Sequence, residues 1–141
     1  MRFIKLLLII CLLCGCTHKV KEKANMIIQI EHIQYKINLE NNDTVTELIN
    51  KLPLELTMNE LNGNEKYKYL DFSLPSDPKS INNIHRGDMM LFGDDCLVIF
   101  YKDFNTSYKY TRIGHIQDDS FIKLLGNKNI IVKLLEDKDE I

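Results

Sequence analysis

The stretch "DMMLFGDDCLVIFYKDFNTSYKYTRIGHI", residues 88–116, decides the fold class. Two apolar runs flank the turn sequence Gly-Asp-Asp (93–95), a pattern typical of a β-hairpin. The polar loop "KDFNTS" (102–107) then leads to "YKYTRIGHI" (108–116), whose aromatic and β-branched residues favour a further strand. These aromatic side chains line a binding groove, or they fill a β core, and the pattern alone leaves both interpretations open.

On the N-terminal side, the segment "MIIQIEHIQYKINLE" (26–40) alternates apolar and polar residues. One offset near residues 31–32 predicts two strands joined by a turn, or one strand with a bulge. The segment "TVTELINKLP" (44–53) has apolar residues at helical spacing and ends in proline, which stops a helix. Thr44 and Glu47 form a capping-box pattern, so the helix is predicted to begin there.

The middle of the chain predicts two more strands around a turn. "LELTMNEL" (54–61) is typical of a strand, and "NGNEKY" (62–67) has the composition of a turn. "YKYLDFSLP" (67–75) alternates and predicts a strand. "PSDPKSINNIHRGD" (75–88) has two prolines and predicts a loop.

The C-terminal part predicts a helix and a last strand. "DDSFIKLLGN" (118–127) favours a short helix capped by one of residues 118–120 and ended by Gly126. "NIIVKLLE" (129–136) favours a strand over a continuing helix because of its β-branched residues. The sequence therefore predicts a mainly β domain, a small closed or nearly closed barrel of seven to eight strands with two short helices.

The first residues predict export and lipid anchoring. Arg2 and Lys5 precede the apolar segment 6–14, which is a signal-peptide pattern too short for a membrane-spanning helix. "LCGC" (13–16) resembles the bacterial lipobox, which implies cleavage before Cys16 and diacylglycerol on its sulfur. The alternatives are an ordinary signal peptide cut elsewhere and an N-terminal membrane anchor. We expect a lipoprotein in the bacterial cell envelope, exposed outside the cytoplasm.

The predicted organisation has four parts. They are a lipoprotein signal peptide (1–15), a flexible tether (16–25), the barrel (26–135) and a polar tail (136–141). The tether is charged and aperiodic, as linkers are. We expect the mature protein to be a monomer that meets the membrane through its N-terminal lipid.

Cysteine usage leaves one thiol for the domain. Cys11 and Cys14 lie in the predicted leader and Cys16 would carry lipid, so only Cys96 remains and no internal disulfide is expected. Cys96 stands in an apolar run and is predicted to be buried. The stability of the domain must then come from its hydrophobic core.

Charge and motifs exclude several function classes. The formal net charge is −2, and removal of the basic leader residues makes it more negative, which argues against nucleic-acid binding. The four histidines lack metal-ligand spacing, and no G-x-S-x-G, P-loop or H-E-x-x-H motif is present. We therefore predict no metal and no cofactor.

Three segments together suggest a family. They are "TVTELINKLP" (44–53), "RGDMMLFGDDCLVIFY" (86–101) and "RIGHIQDDSFIKLL" (112–125). Their order resembles the cyclophilin fold, and more closely the small bacterial cyclophilin-like domains with shortened loops. The resemblance spans residues 26–135 and implies a barrel with an aromatic groove.

The resemblance implies prolyl isomerisation only in part. Cyclophilins hold proline in an apolar groove, with an arginine near the proline amide that weakens the resonance behind the rotational barrier. The groove phenylalanine matches Phe100, or Tyr101 with a slip, and Tyr110 stands where the family has histidine. The family's tryptophan has no counterpart, its loop is reduced to residues 102–107, and the strand 67–75 contains no arginine.

The candidate groove residues are Phe100, Tyr101, Phe104, Tyr110 and Arg112. Arg112 or Arg86 could replace the missing arginine, although Arg112 could equally be a solvated or ion-paired barrel residue. We expect a barrel that binds a small ligand or peptide without strong catalysis. The alternative is a peptidyl-prolyl cis-trans isomerase acting on exported proteins, and a third class is a structural or interaction module of the envelope.

Overall fold

The computed structural model describes residues 25–138, which form a closed antiparallel β-barrel with two short helices. The strands are β1 (Met26–Ile30), β2 (Ile33–Leu39), β3 (Leu54–Leu61), β4 (Glu65–Tyr69), β5 (Lys79–Ser80), β6 (Asn83–Ile84), β7 (Asp88–Phe92), β8 (Cys96–Phe100), β9 (Phe104–Asn105), β10 (Lys109–Ile116) and β11 (Ile130–Glu136). The helices are α1 (Asp43–Asn50) and α2 (Ile122–Leu125), and a 3-10 turn (Asp119–Phe121) precedes α2.

Eight of these strands close the barrel in the order β2-β1-β11-β3-β4-β8-β7-β10, with β10 pairing back onto β2. The predicted mainly β barrel of seven to eight strands with two short helices is confirmed. Closure leaves these eight strands without a long exposed edge. The signal peptide, Cys16 and most of the tether lie outside the described residues.

The seam between β10 and β2 depends on a glycine. Gly114 pairs with Leu39, and a Cβ at Gly114 would lie 2.5 Å from the carbonyl oxygen of Asn38. No other residue type allows this close approach of two strands without a backbone shift. The Ile-Gly-His segment therefore closes the barrel.

Inward side chains from all parts of the chain fill the barrel. Leu48 of α1, Leu125 of α2, and Ile28, Ile99 and Val132 of the strands are completely buried in one cluster. Cys96, the cysteine of the described residues, is a buried free thiol, so the packing of this cluster stabilises the barrel without a disulfide in that part of the chain. The two helices thus contribute core side chains to a structure otherwise made of strands.

The cap of α1 differs from the prediction. Asn42, not Thr44, is the N-cap, and its side chain accepts a hydrogen bond from the Val45 N–H at 2.9 Å. The Thr44 hydroxyl instead donates to the Pro75 carbonyl, and Glu47 pairs with Lys51. The capping-box prediction was wrong because an amide two residues upstream reaches the free N–H first. Asp118 caps the second helical segment, within the predicted residues.

The strand predicted over 67–75 is also wrong in extent. Strand β4 ends at Tyr69, and the N–H groups of Leu70 and Leu74 donate to Asp95 and Asp94 in the β7–β8 turn. Those hydrogen bonds hold the segment after β4 against a turn instead of another strand. Leu70 and Leu74 are nevertheless buried, so their apolar pattern reports burial and not extended pairing.

Two predicted loops contain short strands. Strand β5 pairs with β10, and β6 pairs with β9 in a separate two-stranded sheet. Strand β6 lies in the proline-containing segment 75–88, and β9 lies in the polar loop 102–107. Their pairing places Ile84 and Phe104 on the outside of the barrel wall.

Candidate functional site

The outer face of strands β4, β8, β7 and β10 carries a second apolar cluster. Its buried members are Ile84, Met90, Cys96, Val98, Phe100 and Tyr110, and Tyr67, Ile81 and Phe104 pack against it partly buried. It arises from strand periodicity, because Leu97 and Ile99 join the barrel core while their neighbours in β8 face outward. We call this second set the outer cluster.

One end of the outer cluster is covered. The ring centroids of Phe100 and Phe104 are 5.6 Å apart, and Ile84 is only 1% exposed. The β6–β9 pair therefore shields this end as a second, smaller core. At the other end none of the strands between residues 25 and 138 lies over the apolar face, and a groove is open there.

This aromatic groove has a volume of about 330 Å³. It is lined by Leu61, Glu65, Tyr67, Tyr69, Phe92, Cys96, Val98, Tyr108 and Tyr110. Tyr69 is 58% exposed, Tyr108 63%, Phe92 40% and Leu61 39%. Large apolar side chains are normally exposed singly, so four of them around one concavity form a patch typical of a binding surface.

The rings of the groove contact one another, two pairs edge to face and one pair tilted. The centroid of Phe92 lies 5.8 Å from that of Tyr108 and 5.7 Å from that of Tyr110. Across the groove, Tyr67 and Tyr69 are 6.0 Å apart at 81°. Edge-to-face contacts of this kind stabilise a ring arrangement by about 0.5–1.5 kcal/mol per pair. The walls are therefore held in place without a ligand.

Among the described residues that line the groove, Glu65 alone carries a carboxylate side chain. Alternation along β4 places it on the same face as Tyr67 and Tyr69. Burial raises the pKa of the Glu65 carboxyl above 4.5, and the nearby charge of Glu60 raises it further. Among residues 25–138, no cationic side chain forms an ion pair with Glu65.

Two buried groups of the groove, the Cys96 thiol and the Tyr110 hydroxyl, are kept neutral. Burial raises the pKa of the Cys96 thiol to about 11, with added effects of the Asp95 and Glu65 charges. Burial also raises the pKa of Tyr110 to about 12, again with a contribution from Glu65. At neutral pH the thiol is a poor nucleophile, so the groove offers a binding surface and no activated cysteine.

The residues predicted as a groove fall into three places. Phe100 is fully buried, and together with Phe104 and Tyr110 it belongs to the outer cluster. Of these three, only Tyr110 lines the aromatic groove. Tyr101 lies on the opposite side of the barrel wall, and Arg112 lines a different cavity.

Tyr101 belongs to a buried polar network inside the barrel. Its hydroxyl donates to Glu60 at 2.6 Å, and the ammonium of Lys66 pairs with the other carboxylate oxygen. Lys66 is completely buried and also donates to the carbonyls of Gly126 (2.9 Å) and Lys128 (2.7 Å). This network ties the β3–β4 hairpin to the loop before β11, which is a structural role.

Arg112 lines the larger, polar cavity, which has a volume of about 560 Å³. Its lining residues are Glu40, Asn41, Asn42, Asp43, Thr44, Pro75, Ser76, Asp77, Lys79, Ser80, Ile81, Tyr110, Thr111 and Arg112. Tyr110 reaches both cavities, but Arg112 does not reach the aromatic groove. We favour the smaller groove as the site because its apolar, ring-lined wall is what ligand sites share, whereas the larger cavity is a polar surface hollow.

Both arginines considered for catalysis are held by acidic side chains. The Arg112 guanidinium lies 4.0 Å from Asp88, a buried carboxylate that also meets His115 Nδ1 at 3.0 Å. Arg86 pairs with Asp119 at 3.3 Å. Neither arginine is among the described residues that line the aromatic groove.

The sequence predictions missed most of the groove. Tyr67 and Tyr69 were read only as strand residues, and Glu65 was placed in a turn. The segment "EKYKY" (65–69) did hold a signal, because its alternate positions put a carboxylate and two tyrosines on one face. Phe92 was missed because its contact with Tyr108 depends on the β7–β10 pairing.

Within residues 25–138 no helix is long and apolar enough to cross a membrane. The same residues contain no group of three or more His, Cys, Asp or Glu side chains arranged to hold a metal ion.

Comparison with known proteins gives one match. The family model described as the cyclophilin-like family matches residues 28–134, which is most of the chain and all eight barrel strands in whole or in part. No curated protein and no solved structure is significantly similar to the chain.

Proposed function

Since this chain belongs to the cyclophilin-like family, we propose that its barrel binds a small ligand or peptide in the aromatic groove without strong catalysis. The observation that carries the proposal is the position of the exposed apolar side chains. Six large hydrophobic residues of the described chain are exposed, and four of them line this one groove. The remaining two, Ile33 and Ile131, lie elsewhere on the barrel.

The groove has the size and chemistry of a ligand site. Small-molecule sites are concave and mostly apolar, with a few polar groups that orient the ligand. Here the rings supply the apolar wall, and Glu65 with the tyrosine hydroxyls supplies the polar groups. Rigid aromatic walls lose little conformational freedom on binding, which favours affinity.

The lining of the groove argues against efficient isomerisation. The mechanism implied for cyclophilins needs an arginine beside the bound proline. Among the described residues that line the groove there is no arginine and no lysine. Arg112 lines the neighbouring polar cavity, and Tyr110 lies between that cavity and the groove.

Binding is tested by ligand-observed NMR with a library of fragments and short peptides. We expect hits that bind the wild type, lose affinity by about tenfold in Tyr108→Ala, and are unchanged in the control Ile131→Ala. Tyr108 and Ile131 are both more than half exposed, so neither change should unfold the domain. The absence of hits, or hits indifferent to Tyr108→Ala, would contradict the proposal.

The isomerase alternative is tested by a protease-coupled assay on a proline-containing peptide. We expect no acceleration above the uncatalysed rate. Acceleration that is lost in Arg112→Ala or Arg86→Ala would establish the alternative instead. The control is Lys133→Ala, which removes an exposed cation from another part of the barrel.

We further propose that the protein is a cell-envelope lipoprotein, anchored through Cys16 after removal of residues 1–15. The lipobox-like "LCGC" supports this. Two or three acyl chains anchor a protein durably, at about 0.8 kcal/mol per buried methylene. Cys16→Ser should move the protein from the membrane fraction to the soluble fraction, and unchanged fractionation would refute lipidation.

A further inference from the structure

The electrostatics of the aromatic groove are one-sided. Glu65 lies in its lining, and Asp95 in the adjoining β7–β8 turn adds a second negative charge that acts on Cys96. No lysine or arginine is among the described residues that line the groove. The groove is therefore an apolar, ring-lined space with a net negative field.

The rings add to this field. The face of an aromatic ring carries negative potential, and cations within about 6 Å of a ring centroid are attracted to it. Tyr67, Tyr69, Phe92 and Tyr108 all line the groove as partly exposed rings. A carboxylate among several rings is the combination that recognises ammonium groups.

The barrel contains two related contacts between a lysine ammonium and a single ring, one of them inside the barrel. The Lys66 ammonium lies 5.2 Å from the centroid of the Tyr101 ring and pairs with the Glu60 carboxylate. Lys51 likewise lies 5.2 Å from the centroid of Phe72. Along β4, Lys66 faces inward to Tyr101, whereas Glu65, Tyr67 and Tyr69 face outward. The two faces of β4 thus carry similar partners, but only the inner face includes its own ammonium.

We propose that the aromatic groove binds a small organic cation, with its ammonium group against the tyrosine and phenylalanine rings and the Glu65 carboxylate as counter-ion. This assigns a ligand class to the proposed binding function and therefore rests on it. An ammonium brought into the groove meets a carboxylate that has no ion-pair partner in the described chain. A partly buried carboxylate such as Glu65 gains from such a partner, because the partner offsets the cost of removing its charge from water.

The experiment compares choline with 3,3-dimethylbutan-1-ol, which has the same shape with carbon in place of the charged nitrogen. Affinities are measured at neutral pH by NMR titration of the full chain. We expect choline to bind at least about tenfold more tightly than its neutral isostere. Glu65→Gln should bring the two affinities to within about threefold, chiefly by weakening the binding of choline. The control Glu55→Gln removes an exposed carboxylate of β3 and should preserve the preference.

The outcomes separate this inference from the binding function. Equal affinities for the two probes overturn the cation assignment and leave the groove as a binding site. A preference that survives Glu65→Gln overturns the role of Glu65 as counter-ion. Binding of a neutral peptide without binding of choline would also overturn the cation assignment and leave the groove as a binding site. If neither probe nor any library compound binds, both proposals fall. Tyr108→Leu offers a second check, because it should weaken choline more than the neutral isostere.

Discussion

Strand β8 is apolar on both faces, but the two faces meet different surroundings. Leu97 and Ile99 face a closed barrel in which every side is covered. Cys96, Val98 and Phe100 face outward, where the β6–β9 pair covers one end only. The inner face can serve only stability, because nothing can enter it. The outer face is covered far enough to be stable and open far enough to bind.

The same contrast holds for two carboxylates on the two sides of the wall. Burial alone would raise the pKa of Glu60, but the hydrogen bonds from Lys66 and Tyr101 outweigh it and lower that pKa below 4.5. Glu65 has burial without such partners, so its pKa is raised. A satisfied carboxylate stabilises the fold, and an unsatisfied one costs stability and is available to a ligand.

The largest effect is expected from removing the inner cation. Lys66→Ala should lower the free energy of unfolding by about 3–5 kcal/mol, since it leaves Glu60 and two carbonyls without their partner. Lys133→Ala breaks an exposed pair with Glu55 and should cost no more than about 1 kcal/mol. Urea denaturation measures both. Similar losses in the two variants would show that the buried network does not hold the hairpin.

Truncating a core side chain should lower the free energy of unfolding more than truncating a groove side chain. Ile99→Ala should cost about 2–5 kcal/mol because it opens a cavity in the barrel. Tyr108→Ala removes a mostly exposed ring and should lower the free energy of unfolding by no more than about 1.5 kcal/mol, the upper value for its edge-to-face contact with Phe92. Urea denaturation again decides. A loss of unfolding free energy in Tyr108→Ala as large as that in Ile99→Ala would show that the groove residues stabilise the fold as core residues do.

A smaller effect should distinguish the observed helix cap from the capping box predicted from sequence. Asn42→Ala should destabilise by about 1 kcal/mol, because the Val45 N–H loses its acceptor. Glu47→Ala should change stability by no more than about 0.5 kcal/mol, since Glu47 makes only surface contacts, an ion pair with Lys51 and a hydrogen bond from the Asn50 side chain. Both variants are compared by thermal unfolding. A larger loss of stability in Glu47→Ala than in Asn42→Ala would support the capping box instead.

The smallest effect concerns Glu65 and depends on pH. A native pKa above 4.5 means that ionisation of Glu65 costs stability at pH 7, whereas near pH 4 the group is largely protonated whether the chain is folded or unfolded. Glu65→Gln should therefore raise the midpoint of urea unfolding at pH 7 and leave it almost unchanged at pH 4. Glu60→Gln should lower it at pH 7, and this loss should shrink as the pH falls through the lowered native pKa of Glu60. A loss of stability in Glu65→Gln at pH 7 would contradict the assigned environment.

The fold was predictable because its signals are local. Alternation in 26–40 and 88–116 and the turn at 93–95 define strands without reference to the rest of the chain. The site was not predictable to the same degree, since it depends on which strands become neighbours. Tyr69, Phe92 and Tyr108 come from three different strands or their ends, and their meeting is decided by the pairings of β4, β7 and β10.

The family resemblance led to the correct fold and only partly to the groove. Matching Phe100 to a groove residue identified the correct strand face, but Phe104 covers Phe100 in this chain. Tyr101 was the alternative match if the alignment shifts by one residue. Such a shift moves the matched side chain to the opposite face of the strand. Only the alternation of β8 against its neighbours shows which of the two faces outward.

The chain offers a direct test of the central claim, because its six tyrosines divide between the two faces. Tyr67, Tyr69, Tyr108 and Tyr110 line the aromatic groove, and Tyr35 and Tyr101 lie in the barrel core. The measurement is NMR of tyrosine-labelled protein titrated with choline, its neutral isostere and a proline-containing tetrapeptide. The account predicts that at least one probe shifts the four groove signals saturably and leaves the two core signals in place. Probes that shift no groove tyrosine, or that shift Tyr35 and Tyr101 instead, would contradict it.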